Sequence, residues 1–307
     1  MSRAVVAVDM GGTSCRARLV DLQGAVLAED HRPTGPGADP AAVLLAALDD
    51  LRQVATTQGE AIAAVVVGVP GYVDPARGVV SGAVNLRWHA SGVVALLRER
   101  VGVPLRVEND ANLAAIGEAA RGAGTRMRDF AVLALGTGVG GALVLDGSLR
   151  RGAHHAAGEL GFLVPSRHQL AQGTRMGMES VLGGPAIAAR ARALARGGAA
   201  AGVGSWNAAA VFAAHRRGDA LAGQVVDEVV DHVAMVVIDL CAVLDLEGVV
   251  LDGSIGRALA PEVPRVLDRV NEKLPHPVQL SVSALEPSAT VVGACVSALQ
   301  LLAEAPR

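Results

Sequence analysis

Two apolar runs in this chain each stop at a glycine-rich turn and then resume as a second apolar run. Residues 5–9 lead into Gly11-Gly12-Thr13, and residues 130–135 lead into Gly136-Thr137-Gly138. A short apolar run, a tight turn and another short run read as strand–turn–strand. Its recurrence in the two halves predicts two α/β lobes of similar plan with a cleft between them, without a close residue-level repeat. A length of 307 residues, too long for one small core, agrees with two lobes.

The rest of the pattern is α/β. Strands are expected at 16–22, 25–29, 62–69 and 105–108, and helices at 39–58, 90–101 and 111–121. Asp39 is the expected N-cap of the first helix, with Pro40 at its first position. The second half reads as strands at 130–135 and 141–145 and an irregular stretch at 148–163. Helices at 184–196, 207–217 and 221–244 follow, then strands at 248–252 and 278–282 and a helix at 290–305. The strand at 248–252 is expected to end in a turn at Gly253-Ser254. The expected division is a small lobe at 1–118, completed by the helix at 290–307, and a large lobe at 119–289.

Asp110 sits where a strand gives way to a helix, in Val107-Glu108-Asn109-Asp110-Ala111-Asn112-Leu113. Ligands of open α/β sheets bind outside the carboxyl ends of strands. A carboxylate there can accept a proton from a bound hydroxyl, and an aspartate with an unperturbed pKa of about 3.9 is ionised at neutral pH. Glycine turns let backbone N–H groups approach an anion, and Thr13 adds a hydroxyl. Either turn alone is also an ordinary hairpin. A proton acceptor between two phosphate cradles suggests phosphoryl transfer to an alcohol. The chain lacks GxxxxGK[ST], so it is not a P-loop protein. The second turn is followed by a strand, which argues against a dinucleotide fingerprint.

Composition narrows the partners. A formal charge of −3 gives no basic field for nucleic acid, and 2% aromatic residues leave little for base stacking. Three scattered cysteines, Cys15, Cys241 and Cys295, fit a reduced compartment. With no signal peptide and no membrane span expected, the protein should be cytoplasmic. Glu159 fits a ligand for sugar hydroxyls or a surface glutamate. Asn85 fits a sugar ligand or a turn residue. His154, His155 and His168 read as solvated or structural, and no metal ligand set is expected.

An ordered series of short motifs runs along nearly the whole chain. It comprises Val8-Asp9-Met10-Gly11-Gly12-Thr13, Val69-Pro70-Gly71 with Val73-Asp74, Asn85-Leu86-Arg87-Trp88 and Glu108-Asn109-Asp110-Ala111-Asn112. Leu135 to Gly141, Gly158-Glu159-Leu160-Gly161, Glu179 before Gly184-Pro185-Ala186, and Gly293-Ala294 complete it. This set resembles the ROK family of sugar kinases and sugar-responsive repressors. The resemblance implies a two-lobed, actin-like ATPase (ribonuclease H-like) fold. It implies ATP with Mg²⁺, a sugar substrate and a homodimer, with no nucleic acid or membrane partner. Asp110 would be the general base for a sugar hydroxyl, usually the 6-hydroxyl. Asp9, Gly11, Gly12, Thr13, Gly136, Thr137 and Gly138 would face the phosphates, and Gly253 and Ser254 the adenosine. Gly71, Asn85, Asn109, Asp110, Glu159, Phe162 and Glu179 would surround the sugar. A side chain at Gly138 would then push the phosphates off the turn.

One departure from the family pattern is coherent. Phe162 stands where the family has a histidine that often touches the sugar. Leu170, Gln172 and Gly177 stand where it has zinc-binding cysteines. No structural zinc is expected, and Phe162, Leu163, Leu170 and Met178 are expected to fill the space by apolar packing. The changed histidine position admits a specialised amino sugar, such as 3-amino-3-deoxyglucose, beside ordinary hexoses. The other reading is a non-catalytic sugar sensor.

Overall fold

The computed structural model describes residues 2–35, 39–82, 92–172, 177–197 and 206–304. The chain divides into two compact units. One holds Met1–Thr125, Arg151–Ala156 and Ala284–Arg307, and the other holds Arg126–Arg150 and Ala157–Ser283.

The first unit begins with β1 (Ser2–Met10), β2 (Ser14–Asp21) and β3 (Val26–Pro33). It continues through α1 (Pro40–Thr57), β4 (Glu60–Val69), β5 (Tyr72–Asp74), β6 (Val79–Ser81), α2 (Gly92–Val101), β7 (Leu105–Asn109) and α3 (Asp110–Arg121). The second holds β8 (Phe130–Leu135), β9 (Val139–Leu145), β10 (Ser148–Arg150), α4 (Arg167–Gln172), α5 (Glu179–Leu182) and α6 (Gly184–Gly197). After these come α7 (Ala208–Arg216), α8 (Ala220–Leu244), β11 (Gly248–Asp252), α9 (Gly253–Ala258), α10 (Val263–Asn271) and β12 (Gln279–Val282). The last helix, α11 (Ala289–Glu304), belongs to the first unit.

Both units carry the same five-stranded plan, β3-β2-β1-β4-β7 and β10-β9-β8-β11-β12. In each, the first three strands are antiparallel neighbours and the last two run parallel to the third. Parallel strands need cover on both faces, which the continuous apolar runs supply. The period of two sorts β1 cleanly. Ala4, Val6, Val8 and Met10 enter one core with Leu44 and Leu48 of α1 and Leu97 of α2. Val5 and Ala7 enter another with Leu113, Val291 and Ala294. The expected cap holds as well: Asp39 accepts the Ala41 N–H at 3.0 Å.

Helices α3 and α11 touch through glycine. A Cβ on Gly117 would stand 2.5 Å from the Ala289 carbonyl oxygen, and one on Gly293 would overlap the Leu113 carbonyl oxygen. The Thr290 hydroxyl donates to the Asp110 carbonyl at 3.2 Å. The C-terminal helix therefore fixes the first turn of the helix that carries Asp110.

Several expectations need correction. The stretch at 148–163 is only partly irregular, since it contains β10 and a 3₁₀ turn at Leu160–Phe162. Gly253 and Ser254 open α9 rather than a plain turn. Helices α4 and α5 are six and four residues long, too short to show a helical period. Phe162 and Leu170 do not pack inward; they are 55% and 68% exposed. Met178 is buried and Leu163 packs against the core as expected. Main chain closes this region instead: a Cβ on Gly177 would lie 2.8 Å from the Phe162 carbonyl carbon and oxygen. His154 is exposed, but His155 is half-buried with positive φ and lies 3.6 Å from Asp74.

Cys15 and Cys241 are buried free thiols and Cys295 is half-buried. Burial pushes the Cys15 thiol up to about 12. Among the described residues no helix is long and apolar enough to cross a membrane.

Gly293→Ala is expected to force α11 off α3 and to cost about 1–3 kcal/mol, the scale of overpacking in a tight contact. The check is a lower urea midpoint at unchanged slope. An unchanged midpoint would show that the two helices do not meet there.

Candidate active site

In the first unit the candidate residues line the carboxyl ends of the parallel strands. Asp9 is in register with Gly68, Gly68 with Glu108, and Val69 with Asn109. Asn109 is the N-cap of α3: its Oδ1 accepts the Asn112 N–H at 2.9 Å, and its Nδ2 donates to the Gly71 carbonyl at 3.0 Å. Gly71 has a φ of 95°, which glycine adopts without strain. Asp110 follows as the first helical residue, half-buried, with Oδ1 accepting the Ala111 N–H at 2.9 Å. The positive end of the α3 dipole favours its carboxylate.

Glu108, which the sequence reading did not single out, holds this turn together. Its buried carboxylate accepts the Asn109 N–H and Asn112 Nδ2, each at 3.0 Å, and Arg151 Nε and Nη2 at 2.9 and 2.6 Å. A charged residue in a buried strand was the available signal, but its partner Arg151 lies far away in sequence.

Asp9 accepts the Ser288 hydroxyl at 3.0 Å and lies 3.7 Å from Arg16. In the first glycine turn, Gly11 donates to the Ser14 carbonyl at 2.9 Å. Thr34 closes the turn, donating from its hydroxyl to the Gly11 carbonyl at 2.7 Å and from its N–H to the Thr13 carbonyl at 3.0 Å. Thr13 itself is exposed. Asn85 and Trp88 lie outside the described residues.

The second unit holds the other candidates. Gly136 donates to the Gly138 carbonyl at 3.0 Å and accepts from Gly184 at 2.9 Å, so its N–H closes the turn. Val139 N–H donates to Glu179 Oε2 at 3.0 Å. A Cβ on Gly138 would overlap that same Glu179 oxygen. A side chain at 138 would therefore first displace the end of the Glu179 side chain. A Cβ on Gly136, in contrast, would meet nothing within 4 Å, and Thr137 is exposed. The end of β8 thus has open space beside Gly136, while the N–H and carbonyl of that residue are taken up within the protein.

Gly158 has a φ of 89° and packs on Gly141, setting the direction of Glu159. Burial, and then the charge of Glu179, holds the Glu159 carboxyl above the usual glutamate range. Gly253, also at positive φ, abuts the Leu135 carbonyl, which sets the start of α9 beside the end of β8. Asp252, immediately before it, also escaped the sequence reading.

A groove of about 420 Å³, lined by Arg52, Thr56, Glu60, Ile62, Arg100 and Val101, opens at the start of β4. It lies at the opposite end of that strand from Gly68 and is not part of the candidate site. Among the described residues no group of three or more His, Cys, Asp or Glu side chains could hold a metal ion.

The ROK family profile matches residues 5–300. The chain belongs to the ROK family. It is 30% identical over 313 residues to a glucokinase of Thermotoga maritima, covering 94% of this chain and 95% of that one. It is 36% identical over 158 residues to a glucokinase of Streptomyces coelicolor, covering 52% of this chain and about half, 49%, of that relative. Among solved structures, a ROK glucokinase from Streptomyces griseus in complex with glucose and AMPPNP matches with a TM-score of 0.77. That match has 28% identity and covers 97% of this chain and 99% of that one. A ROK transcriptional regulator, homolog of E. coli MLC, matches with a TM-score of 0.86 at 22% identity. It covers 98% of this chain and 79% of that one, a likeness of fold alone. The fold is that of the actin-like ATPases.

Two outcomes follow for this ROK protein. Gly136→Ala is expected to fold normally, because the space is open, yet to raise the KM for ATP several-fold relative to that for sugar. An unchanged ATP KM would remove this turn from phosphate binding. Glu159 should hold its proton to higher pH than an exposed glutamate, whose pKa is about 4.3. Sugar binding that needs the ionised acceptor then weakens as pH falls through the raised value. Glu159→Gln should abolish this limb; a sugar KM that stays flat in wild type across that window would exclude Glu159 from the sugar site.

Proposed function

We propose that this protein transfers the γ-phosphoryl group of ATP to a hydroxyl of a hexose or amino sugar, at the 6-position. The observation that carries the reading is Asp110, a carboxylate held at a strand end by Asn109 and Glu108. The likeness to a glucokinase over 94% of the chain supports reading that carboxylate as a proton acceptor.

In this reading the sugar hydroxyl oxygen attacks the γ-phosphorus as Asp110 accepts its proton. The bond to the β-phosphate oxygen breaks and ADP leaves. Most of the rate comes from positioning and from stabilising charge on the transferred group. ATP enters as its Mg²⁺ complex, which neutralises phosphate charge. Asp9, Gly11, Gly12, Thr13, Gly136, Thr137 and Gly138 serve the phosphates in this reading, as the family resemblance implies. Gly253 and Ser254 adjoin the nucleoside.

Glu159 and Glu179 accept hydrogen bonds from sugar hydroxyls, and Asn109 and Gly71 belong to the same set on the family resemblance. Asn85 completes that set on the resemblance alone. The exposed ring of Phe162 is free of the core and offers an apolar surface where a histidine would donate a hydrogen bond. That change supports an amino sugar among the candidate substrates. No structural zinc belongs to this reading, because Phe162, Leu170, Gln172 and Gly177 supply no zinc-binding donor. A cytoplasmic homodimer completes the proposal.

The test is ADP release over a panel of glucose, mannose, fructose, N-acetylmannosamine and 3-amino-3-deoxyglucose. At least one sugar should be turned over, and Asp110→Asn should cut kcat by roughly a hundredfold or more while sugar binding persists. Sugar binding without turnover in the wild type would favour the sensor, and a near-normal kcat in the variant would remove Asp110 from the chemistry.

A further inference from the structure

Asp252 ends β11 in register with Ala134 of β8. The four residues before it, Gly248 to Leu251, are all buried. Its side chain is only 9% exposed. An aspartate at a helix N-cap ordinarily accepts a backbone N–H of the first turn. Asp252 is the N-cap of α9, yet its side chain makes no capping hydrogen bond. Its Oδ1 is buried and has no hydrogen-bond partner among the described residues. Arg257 Nη1 stands 3.6 Å away, beyond hydrogen-bond range, on a side chain that is 43% exposed. Burial holds the carboxyl above the usual aspartate range, against the opposing pull of the Gly253 N–H and Arg257.

A buried acceptor left open is rare, and a missing donor is its simplest explanation. The position says what the donor belongs to. Asp252 lies at the carboxyl end of a parallel strand, where α/β sheets take their ligands. Its neighbour Gly253 abuts the Leu135 carbonyl, one residue before the Gly136-Thr137-Gly138 turn. A nucleotide with its phosphates on that turn brings its ribose, the next group along, to this strand end. A ribose carries two hydroxyl donors, and a strand-end carboxylate that accepts from a ribose hydroxyl is a recurrent solution in dinucleotide-binding folds.

We propose that Asp252 accepts a hydrogen bond from one ribose hydroxyl of the bound nucleotide and so discriminates against nucleotides that lack that hydroxyl. The proposal rests on the kinase reading above for the identity of the ligand. It assigns Asp252 to specificity and leaves the phosphoryl-transfer step to other residues.

The experiment compares wild type, Asp252→Asn and Asp252→Ala with ATP, 2′-deoxy-ATP, 3′-deoxy-ATP and purine riboside triphosphate. In the wild type, one deoxy analogue should bind about tenfold more weakly than ATP, the scale of a hydrogen bond to a charged group. Purine riboside triphosphate, which lacks the adenine amino group, should bind as ATP does. Asp252→Ala should weaken ATP about tenfold and the sensitive deoxy analogue hardly at all, with the sugar KM unchanged. Asp252→Asn, nearly isosteric, should fall between. Equal loss for ATP and both deoxy analogues would overturn the proposal in favour of a structural carboxylate. Selective loss of purine riboside triphosphate would overturn it in favour of the base. Calorimetry with AMPPNP and non-hydrolysable deoxy analogues reads the same contrast without turnover. A failure of the kinase reading, binding without ADP release, is thereby distinguished from a failure at Asp252. Should both variants fail to fold, the wild-type analogue series alone decides: no discrimination at either hydroxyl sinks the proposal.

Discussion

Glu108 places a carboxylate among the buried valines of β4 and β7, with 1% of its side chain exposed. Such a group is tolerable only when every lone pair finds a donor. Here the donors are the Asn109 N–H, Asn112 Nδ2 and the Arg151 guanidinium. Each bond also fixes geometry. The first two clamp the strand-to-helix turn, so Asn109 can cap α3 and Asp110 can occupy its first position. The third ties Arg151–Ala156 to the first unit, although β10 just before it belongs to the second. Removing Arg151 alone would strand a buried charge, a loss of about 3–5 kcal/mol. The direction of the candidate base thus depends on a residue that need never touch a substrate.

The glycines of the site have different causes, and the differences matter for reading function from sequence. At Gly138 the end of the Glu179 side chain occupies the space a Cβ would take. Gly253 is glycine because its φ is positive and the Leu135 carbonyl lies against it. Gly136, by contrast, leaves open space around the missing side chain. A glycine-rich motif is therefore a mixture of packing demands and ligand access, and the motif alone does not separate them.

The periodic parts of the chain were legible. The apolar runs at 5–9, 62–69, 130–135 and 248–252 are strands, the Asp39-Pro40 signal opens α1, and the strand–turn–strand recurrence became two sheets of one plan. Short elements were hidden, because four to six residues such as α4 and α5 cannot display a helical period. The place of Asp110 was legible because a strand end and a helix start flank it locally. Glu108 and Asp252 were not, because their significance lies in what surrounds them. One has a partner distant in sequence; the other has an oxygen with no hydrogen bond among the described residues. Phe162 and Leu170 misled because hydrophobicity predicts burial only where space exists. Here backbone against Gly177 had already closed it.

The glycine contact between α3 and α11 has a consequence for how the chain comes into being. A ribosome makes the protein from its N-terminus, and domains tend to fold as units while synthesis proceeds. Every strand of the second unit has been made before α11 exists, since Gln279–Val282 precedes Ala289–Glu304. Until then Leu113, Val5 and Ala7, all fully buried at the end, lack the cover of Val291, Ala294 and Ala298. The first unit is therefore begun first and closed last, and its apolar face waits uncovered while its neighbour is being built.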